Sequence, residues 1–195
     1  MKIAVDFDEV LFLLVEPMIE WHDQLYGTKL NYEDFCNYRF HEAIKSTEKE
    51  ASRRYIDFAL SEYSLKTPPI VNAHSVLSKR KAGGDTLHIA TSSQIEVVEA
   101  KKNRLEKHFG GLFDGFHYTN YYSLIDGPIR SKAEICQELG IDIIIDDNPE
   151  HLTACTGCVQ TLILFGDYPW NKGDYPGFMR AANWTEVEQI LNSRL

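Results

Sequence analysis

No stretch of this chain comes near the roughly 18 consecutive apolar residues that a membrane span requires. The apolar run from Val10 to Val15 is short, and Asp6, Asp8 and Glu9 stand just before it, which argues against a secretory signal. Positive charge is scarce. Lys and Arg number 20 against 29 Asp and Glu, a formal net charge of −9. That balance argues against a nucleic-acid polymer or an anionic membrane as partner. It also requires any anionic substrate to find local positive charge on a metal, a lysine or a helix N-terminus. There are only 4 cysteines. Cys155-Thr156-Gly157-Cys158 has the C-x-x-C form, but a structural zinc site normally needs a second pair, and Cys36 and Cys136 do not supply that spacing. Cys155 and Cys158 are expected to be buried or half-buried thiols. Internal repeats and low-complexity segments are absent too. What remains is ordinary globular composition, 44% hydrophobic and 25% charged over 195 residues, enough for a substantial core. A soluble, cytoplasmic protein is expected.

The chain is organised around Ile3-Ala4-Val5-Asp6-Phe7-Asp8-Glu9-Val10, a short buried strand ending abruptly in acids. From Glu16 to about Pro69 the pattern is helical. Met18, Ile19, Trp21, His22, Leu25 and Tyr26 recur at helical spacing and Gly27 closes that helix. Asn31 caps a short helix through Phe35, and Thr47 to Glu50 reads as a capping box. A helix over 70–81 ends at Gly83-Gly84. Thr86-Leu87-His88-Ile89-Ala90 is a strand followed at once by the hydroxyls Thr91, Ser92 and Ser93, placed either to cap the next helix or to hold an anion. That helix runs from Ile95 to His108. Its Lys101, Lys102, Arg104 and Lys107 mingle with Glu96, Glu99 and Glu106, which reads as a solvated face.

A further strand is expected near Gly115, and Lys132 falls in the first turn of an amphipathic helix, against the helix dipole. Ile141 to Ile145 is the clearest buried strand. It ends in Asp146 and Asp147, adjacent acids that repel unless a cation sits with them. Pro149 suits the next helix's first turn. Val159 to Phe165 is the next strand, Tyr168 to Lys172 a loop, and Thr185 to Glu188 a capping box opening the terminal helix.

Four of these segments, in this order, resemble the motifs of the haloacid dehalogenase (HAD) superfamily in its phosphatase form. Asp6-Phe7-Asp8-Glu9-Val10 is similar to its Asp-x-Asp-x-Val/Thr motif, Thr91 to the motif-two hydroxyl, Lys132 to the motif-three lysine and Asp146-Asp147 to motif four. The helical insertion, the Ala-Thr-Ser-Ser run and the Ile-Asp-Asp run resemble the 5′(3′)-deoxyribonucleotidase-like branch. Two positions depart: Glu9 stands where a small glycine is common, bringing negative charge near a phosphate site, and Val10 where many phosphatases have threonine.

The resemblance implies an α/β fold, a three-layer Rossmann-like core with a parallel sheet, and a small helical cap inserted after the first strand. Residues 1–15 and 70–195 would form the core and 16–69 the cap. It implies magnesium-dependent hydrolysis of a small phosphate monoester through an aspartyl-phosphate. Asp6 would be the nucleophile and Asp8 the general acid and base. Thr91, Ser92 and Lys132 would hold the phosphate. Asp6, the backbone carbonyl of Asp8, and Asp147 would ligate Mg2+, with Asp146 in support. The partner would be a small phosphorylated metabolite, with a nucleoside monophosphate as first choice. Trp21, Tyr26, Phe35, Tyr38 and Phe40 are the cap rings from which one or two could face the leaving group. A phosphotransferase or phosphomutase would use the same core, and a non-catalytic metal- or ligand-binding module is the remaining alternative.

Overall fold

The computed structural model describes residues 1–36 and 39–194. Six strands form one wholly parallel sheet: β1 (Lys2–Val5), β2 (Thr86–Thr91), β3 (Gly115–Tyr118), β4 (Ile143–Asp146), β5 (Thr161–Phe165) and β6 (Phe178–Ala181), in the spatial order β3-β2-β1-β4-β5-β6. Side chains alternate between the two faces of a strand. Ile3, Val5, Leu87, Ile89, Ile143, Ile145, Ile163 and Phe165 therefore share one buried cluster, while Ala4, Ala90, Ile144, Leu162 and Leu164 share another. Helices cover both faces, which gives the three layers. The first face receives Val76 and Leu77, Leu105 and Phe109, and Trp184, Val187 and Leu191; the second receives Ile135, Cys136 and Leu152.

Between β1 and β2 the chain forms α1 (Val15–Tyr26), a single turn at Tyr32–Asp34, α2 (Phe40–Ala43), α3 (Glu48–Ala59) and α4 (Glu62–Lys66), then α5 (Ala73–Ala82) of the sheet layers. Met18, Trp21 and Phe58 pack α1 against α3. The two connections to this helical segment lie side by side: Ile70 N–H donates to Leu11 C=O at 2.8 Å, and Phe12 bridges to Pro69. Among the described residues, no helix is long and apolar enough to cross a membrane.

Several boundaries differ from the sequence reading. The helix expected over 70–81 begins at Ala73, because Asn72 has φ 69° and cannot continue a right-handed turn. The strand expected from Ile141 begins at Ile143: Ile141 N–H closes the end of α7 (Lys132–Leu139) on Cys136 C=O, and Asp142 turns aside to accept from Lys2 N. The next strand starts at Thr161 rather than Val159, which bridges to Thr156. Helix 95–108 splits into a tight turn at Ile95–Val97 and α6 (Val98–Phe109). After α8 (Pro149–Ala154), the short edge strand β6 has only Phe-Met-Arg-Ala to announce it and was not anticipated. The terminal helix α9 (Trp184–Asn192) is capped by Asn183, whose Oδ1 accepts from Thr185 N and Glu186 N, and not by Thr185. Burial of Trp184, with Nε1 on Val10 C=O at 2.8 Å, draws the first turn back to that residue. Thr47 does cap α3, but Glu50 pairs with Arg54 instead of reaching back.

Candidate active site

In this strand order the chain changes direction between β1 and β4, and the crevice at the carboxyl ends of such a pair is where open α/β sheets bind ligands. Both strands end there in acid. Asp6 follows β1, tied by its N–H to Ile145 C=O at 2.9 Å, and Asp146 closes β4 with Asp147 after it. Asp6, Asp146 and Asp147 are buried, and one carboxylate oxygen of each lies within 4.8 Å of the others. Lys132 opens α7, with Ser131 and Glu134 forming its capping box. Its buried ammonium lies 2.6 Å from Asp146 Oδ2 and 3.0 Å from Asp6 Oδ1. Apart from that ion pair, Asp6 Oδ1 accepts no hydrogen bond.

The three acids are electrostatically unequal. Burial raises Asp146, but Lys132 and His151 outweigh it and hold its carboxyl well below the usual range. Burial raises Asp6 against the pull of Lys132. Asp147 is pushed well above the ordinary range, first by burial and then by Asp146 and Asp6. Three carboxylates share one ammonium, and their all-oxygen donor set fits a hard divalent cation such as Mg2+.

Asp8 lies on the β2 side. Its Oδ2 receives Lys101 Nζ at 2.5 Å and the Tyr55 hydroxyl at 3.3 Å. The same ammonium donates to Ser93 Oγ at 2.6 Å, and Ser93 is 2.9 Å from Thr91 Oγ1, so a polar chain joins Asp8 to the end of β2. Ser92 Oγ faces His151 Nε2 at 3.2 Å. On the other side, Trp170 Nε1 donates to Asp147 Oδ2 at 2.7 Å, and Asn171 Nδ2 to Asp147 C=O at 3.1 Å. Glu9 sits in the left-handed region at φ 57°, where glycine is at ease. Its buried Oε1 accepts from Leu14 N and Val15 N at the start of α1, and burial raises its carboxyl to about 7.

Asp6, Lys132, Asp146 and Asp147 thus meet in one place, Asp8 is joined to Thr91 through Lys101 and Ser93, and Ser92 is joined to Asp146 through His151. Of the rings expected to face the leaving group, Trp21 packs against Met18 and Phe58, Phe35 stacks on Phe40 with centroids 6.1 Å apart, and Tyr26 stacks on His22 beneath Arg54. Tyr38 lies outside the described residues. From the helical segment, the Tyr55 hydroxyl reaches the Asp8 carboxylate. The solvated reading of α6 needs correction for two of its cations: Lys101 and Arg104 are buried, while Lys102 and Lys107 are exposed. Lys101 lies four residues from both Val97 and Leu105, so helical periodicity puts it on the inward face. That spacing was the available signal. Trp170 and Asn171 lie in a loop and carried none.

A family profile described as "5′ nucleotidase, deoxy (Pyrimidine), cytosolic type C protein" matches residues 1–195. No curated protein matches. Among solved structures, a predicted phosphatase from Clostridium acetobutylicum is similar with a TM-score of 0.74 at 16% identity, covering 98% of each chain. A haloacid dehalogenase-like hydrolase from Streptococcus pneumoniae gives 0.69 at 12% identity, covering 98% of this chain and 97% of that one. A predicted phosphoglycolate phosphatase from Haemophilus somnus gives 0.64 at 14%, covering 97% and 96%. At such identities the structural likeness establishes the fold, and the profile establishes the family. The fold is shared with haloacid dehalogenase-like hydrolases, and the chain belongs to the family of 5′ nucleotidase, deoxy (pyrimidine), cytosolic type C proteins, a family of phosphatases.

Proposed function

We propose that this phosphatase hydrolyses small phosphate monoesters, nucleoside monophosphates foremost, with Mg2+ and through an aspartyl-phosphate on Asp6. The observation that carries this reading is the meeting of Asp6, Lys132 and the Asp146–Asp147 pair in one buried crevice, with Asp8 separately paired to Lys101.

A carboxylate oxygen of Asp6 attacks phosphorus in line while the bond to the leaving oxygen breaks, splitting one hard displacement into two easier ones. Asp8 gives its proton to that oxygen. In the second step Asp8 takes a proton from water, which attacks phosphorus, releases inorganic phosphate and restores Asp6. Lys132, Thr91 and Ser92 hold the phosphoryl oxygens, whose charge the transition state must accommodate. Asp6, Asp147 and the backbone carbonyl of Asp8 would hold Mg2+, with Asp146 keeping Lys132 in place. Bound magnesium would offset the negative charge of phosphate and carboxylates together.

Residues 16–69 act as the cap over a core of 1–15 and 70–195. Such a cover admits small metabolites and turns away phosphoproteins and polynucleotides. Tyr55 brings a ring to the leaving-group side of Asp8, and a base stacked on an aromatic gains roughly 1–3 kcal/mol. Steady-state kinetics with Mg2+ on nucleoside monophosphates against sugar phosphates of equal charge tests this. Higher kcat/KM for the nucleotides is expected. Preference for sugar phosphates overturns the nucleotide assignment, and no turnover of either class overturns the hydrolase mechanism.

A further inference from the structure

Trp170 stands apart from the four strand-end segments, on the turn Pro169–Asn171 that follows β5. Its edge and its ring serve different neighbours. At the edge, Nε1 donates to Asp147 Oδ2 at 2.7 Å. The ring stacks on Tyr168, with centroids 4.8 Å apart and planes 15° apart, and meets Tyr32 of the helical segment at 5.9 Å. Around it, Val15, Phe35, Ile19 and Leu30 complete one apolar cluster to which both the cap and this loop contribute.

The loop itself is tightly held. Tyr168 donates its hydroxyl to Glu9 C=O at 2.7 Å, and Tyr168 N–H donates to Asn171 Oδ1 at 3.1 Å. Asn171 Nδ2 bonds both Asp147 C=O and Phe165 C=O, and Arg180 holds Asn171 C=O. The indole is therefore fixed from the sheet side, and it touches one catalytic-edge carboxylate and one cap surface at once.

We propose that Trp170 is the positioning residue for the Asp147 carboxylate, and that through Tyr32 and Phe35 it makes cation affinity depend on where the cap sits. The proposal rests on the magnesium reading above. A carboxylate with one oxygen engaged by a rigid indole cannot turn freely, so the lone pairs it offers a cation are fixed in advance. Groups that orient a metal ligand in this way commonly change affinity about 10–100-fold when removed. Because the same ring packs under the cap, a ligand that seats the cap and a cation bound at Asp147 change each other's affinity by equal factors.

Calorimetric titration of Mg2+ into substrate-free protein separates the possibilities. Wild type should bind, Asp147→Asn should lose binding, and Trp170→Phe, which keeps a ring but no N–H, should bind about 10–100-fold more weakly. Tyr32→Ala should weaken binding severalfold while leaving Asp147's own contacts in place. Wild-type affinity in Trp170→Phe overturns the positioning role, even where Asp147→Asn upholds the magnesium reading. Wild-type affinity in Tyr32→Ala overturns the link to the cap. Absence of binding in wild type overturns both this proposal and the magnesium reading. Should Trp170→Phe fail to fold by circular dichroism, the indole N–H resonance of Trp170 in wild type provides the readout. It should shift and exchange more slowly on adding Mg2+, and an unmoved resonance overturns the proposal.

Discussion

Asp8 and Asp147 both lie close to Asp6, yet the protein treats their charges in opposite ways. Asp8 is matched by an internal cation: Lys101 Nζ lies 2.5 Å away, itself buried over the Phe7 ring at 4.8 Å, with the Tyr55 phenol as a second donor. Among the described residues, Asp147 receives only neutral donors, the Trp170 indole and, at its backbone, the Asn171 amide. Its carboxyl is accordingly driven upward by burial and by Asp146 and Asp6, with Lys132 a lesser opposing influence. The Lys101 ammonium offsets and orients the Asp8 carboxylate, whereas neutral donors orient Asp147 without neutralising it, which leaves a charge for a cation to offset. Composition foretold half of this contrast: a chain with a net charge of −9 must import or concentrate positive charge to meet a phosphate.

The largest effect is expected where the flanks converge. Asp6→Asn should lower kcat by about 1,000-fold or more, since the nucleophile is shared by both steps. Substantial residual turnover in a folded Asp6→Asn protein would sink the covalent route. Next comes Lys101→Met, which strands the half-buried Asp8 carboxylate and should cost about 1–3 kcal/mol of stability together with most of kcat. Denaturant melts and kinetics measure both. Magnesium affinity should hardly change in this variant; a loss as large as that in Trp170→Phe would show that the two flanks are not separate. Third, Mg2+ at about 100 times its Kd should stabilise wild type by about 2.7 kcal/mol. Thermal melts of Asp147→Asn should show no such shift, and a full shift there would move the cation elsewhere.

What the sequence displayed and what it hid divide along the same line. Asp6, Asp146, Thr91 and Lys132 were legible because an apolar run that stops in a polar residue marks a strand's carboxyl end, and a helix's first turn can be read from its caps. The parallel sheet was implied by the resemblance of four segments to the haloacid dehalogenase motifs. The supporting residues were hidden because their partners are remote: Lys101 meets Asp8 across 93 positions and Trp170 meets Asp147 across 23. Lys101 was further masked by neighbouring glutamates, although its spacing from Val97 and Leu105 marked the inward face. Tyr55 looked like one more ring in an aromatic segment. Only packing distinguishes a ring that fills the cap from one that reaches out of it.

The smallest expected effect lies away from both flanks and tests whether their charges are as self-contained as the contrast requires. His88 and His117 stand on the neighbouring strands β2 and β3 with ring centroids 5.6 Å apart. The buried His88 Nδ1 and His117 Nε2 have no hydrogen-bond partner. Burial holds both imidazoles below the ordinary 6.5, helped at His88 by Lys2 and Lys81 against Asp114, and at His117 by His88 and Arg130 against Glu138. The unfolded chain therefore takes up protons near pH 6.5 that the folded chain refuses, so stability falls as pH drops through that value. His22 and His108 are lowered too and add to the slope. Raised carboxyls such as Glu9, at about 7, act with the opposite sign in the same window, so the comparison is with a variant: relative to wild type, His88→Gln, His117→Gln should gain melting temperature as pH falls from about 7 to about 5.5. Repeating the series with Mg2+ and with a chelator should leave this difference unchanged. A difference that Mg2+ abolishes would couple the two histidines to the carboxylate cluster, and the division of labour between Asp8 and Asp147 would fail with it.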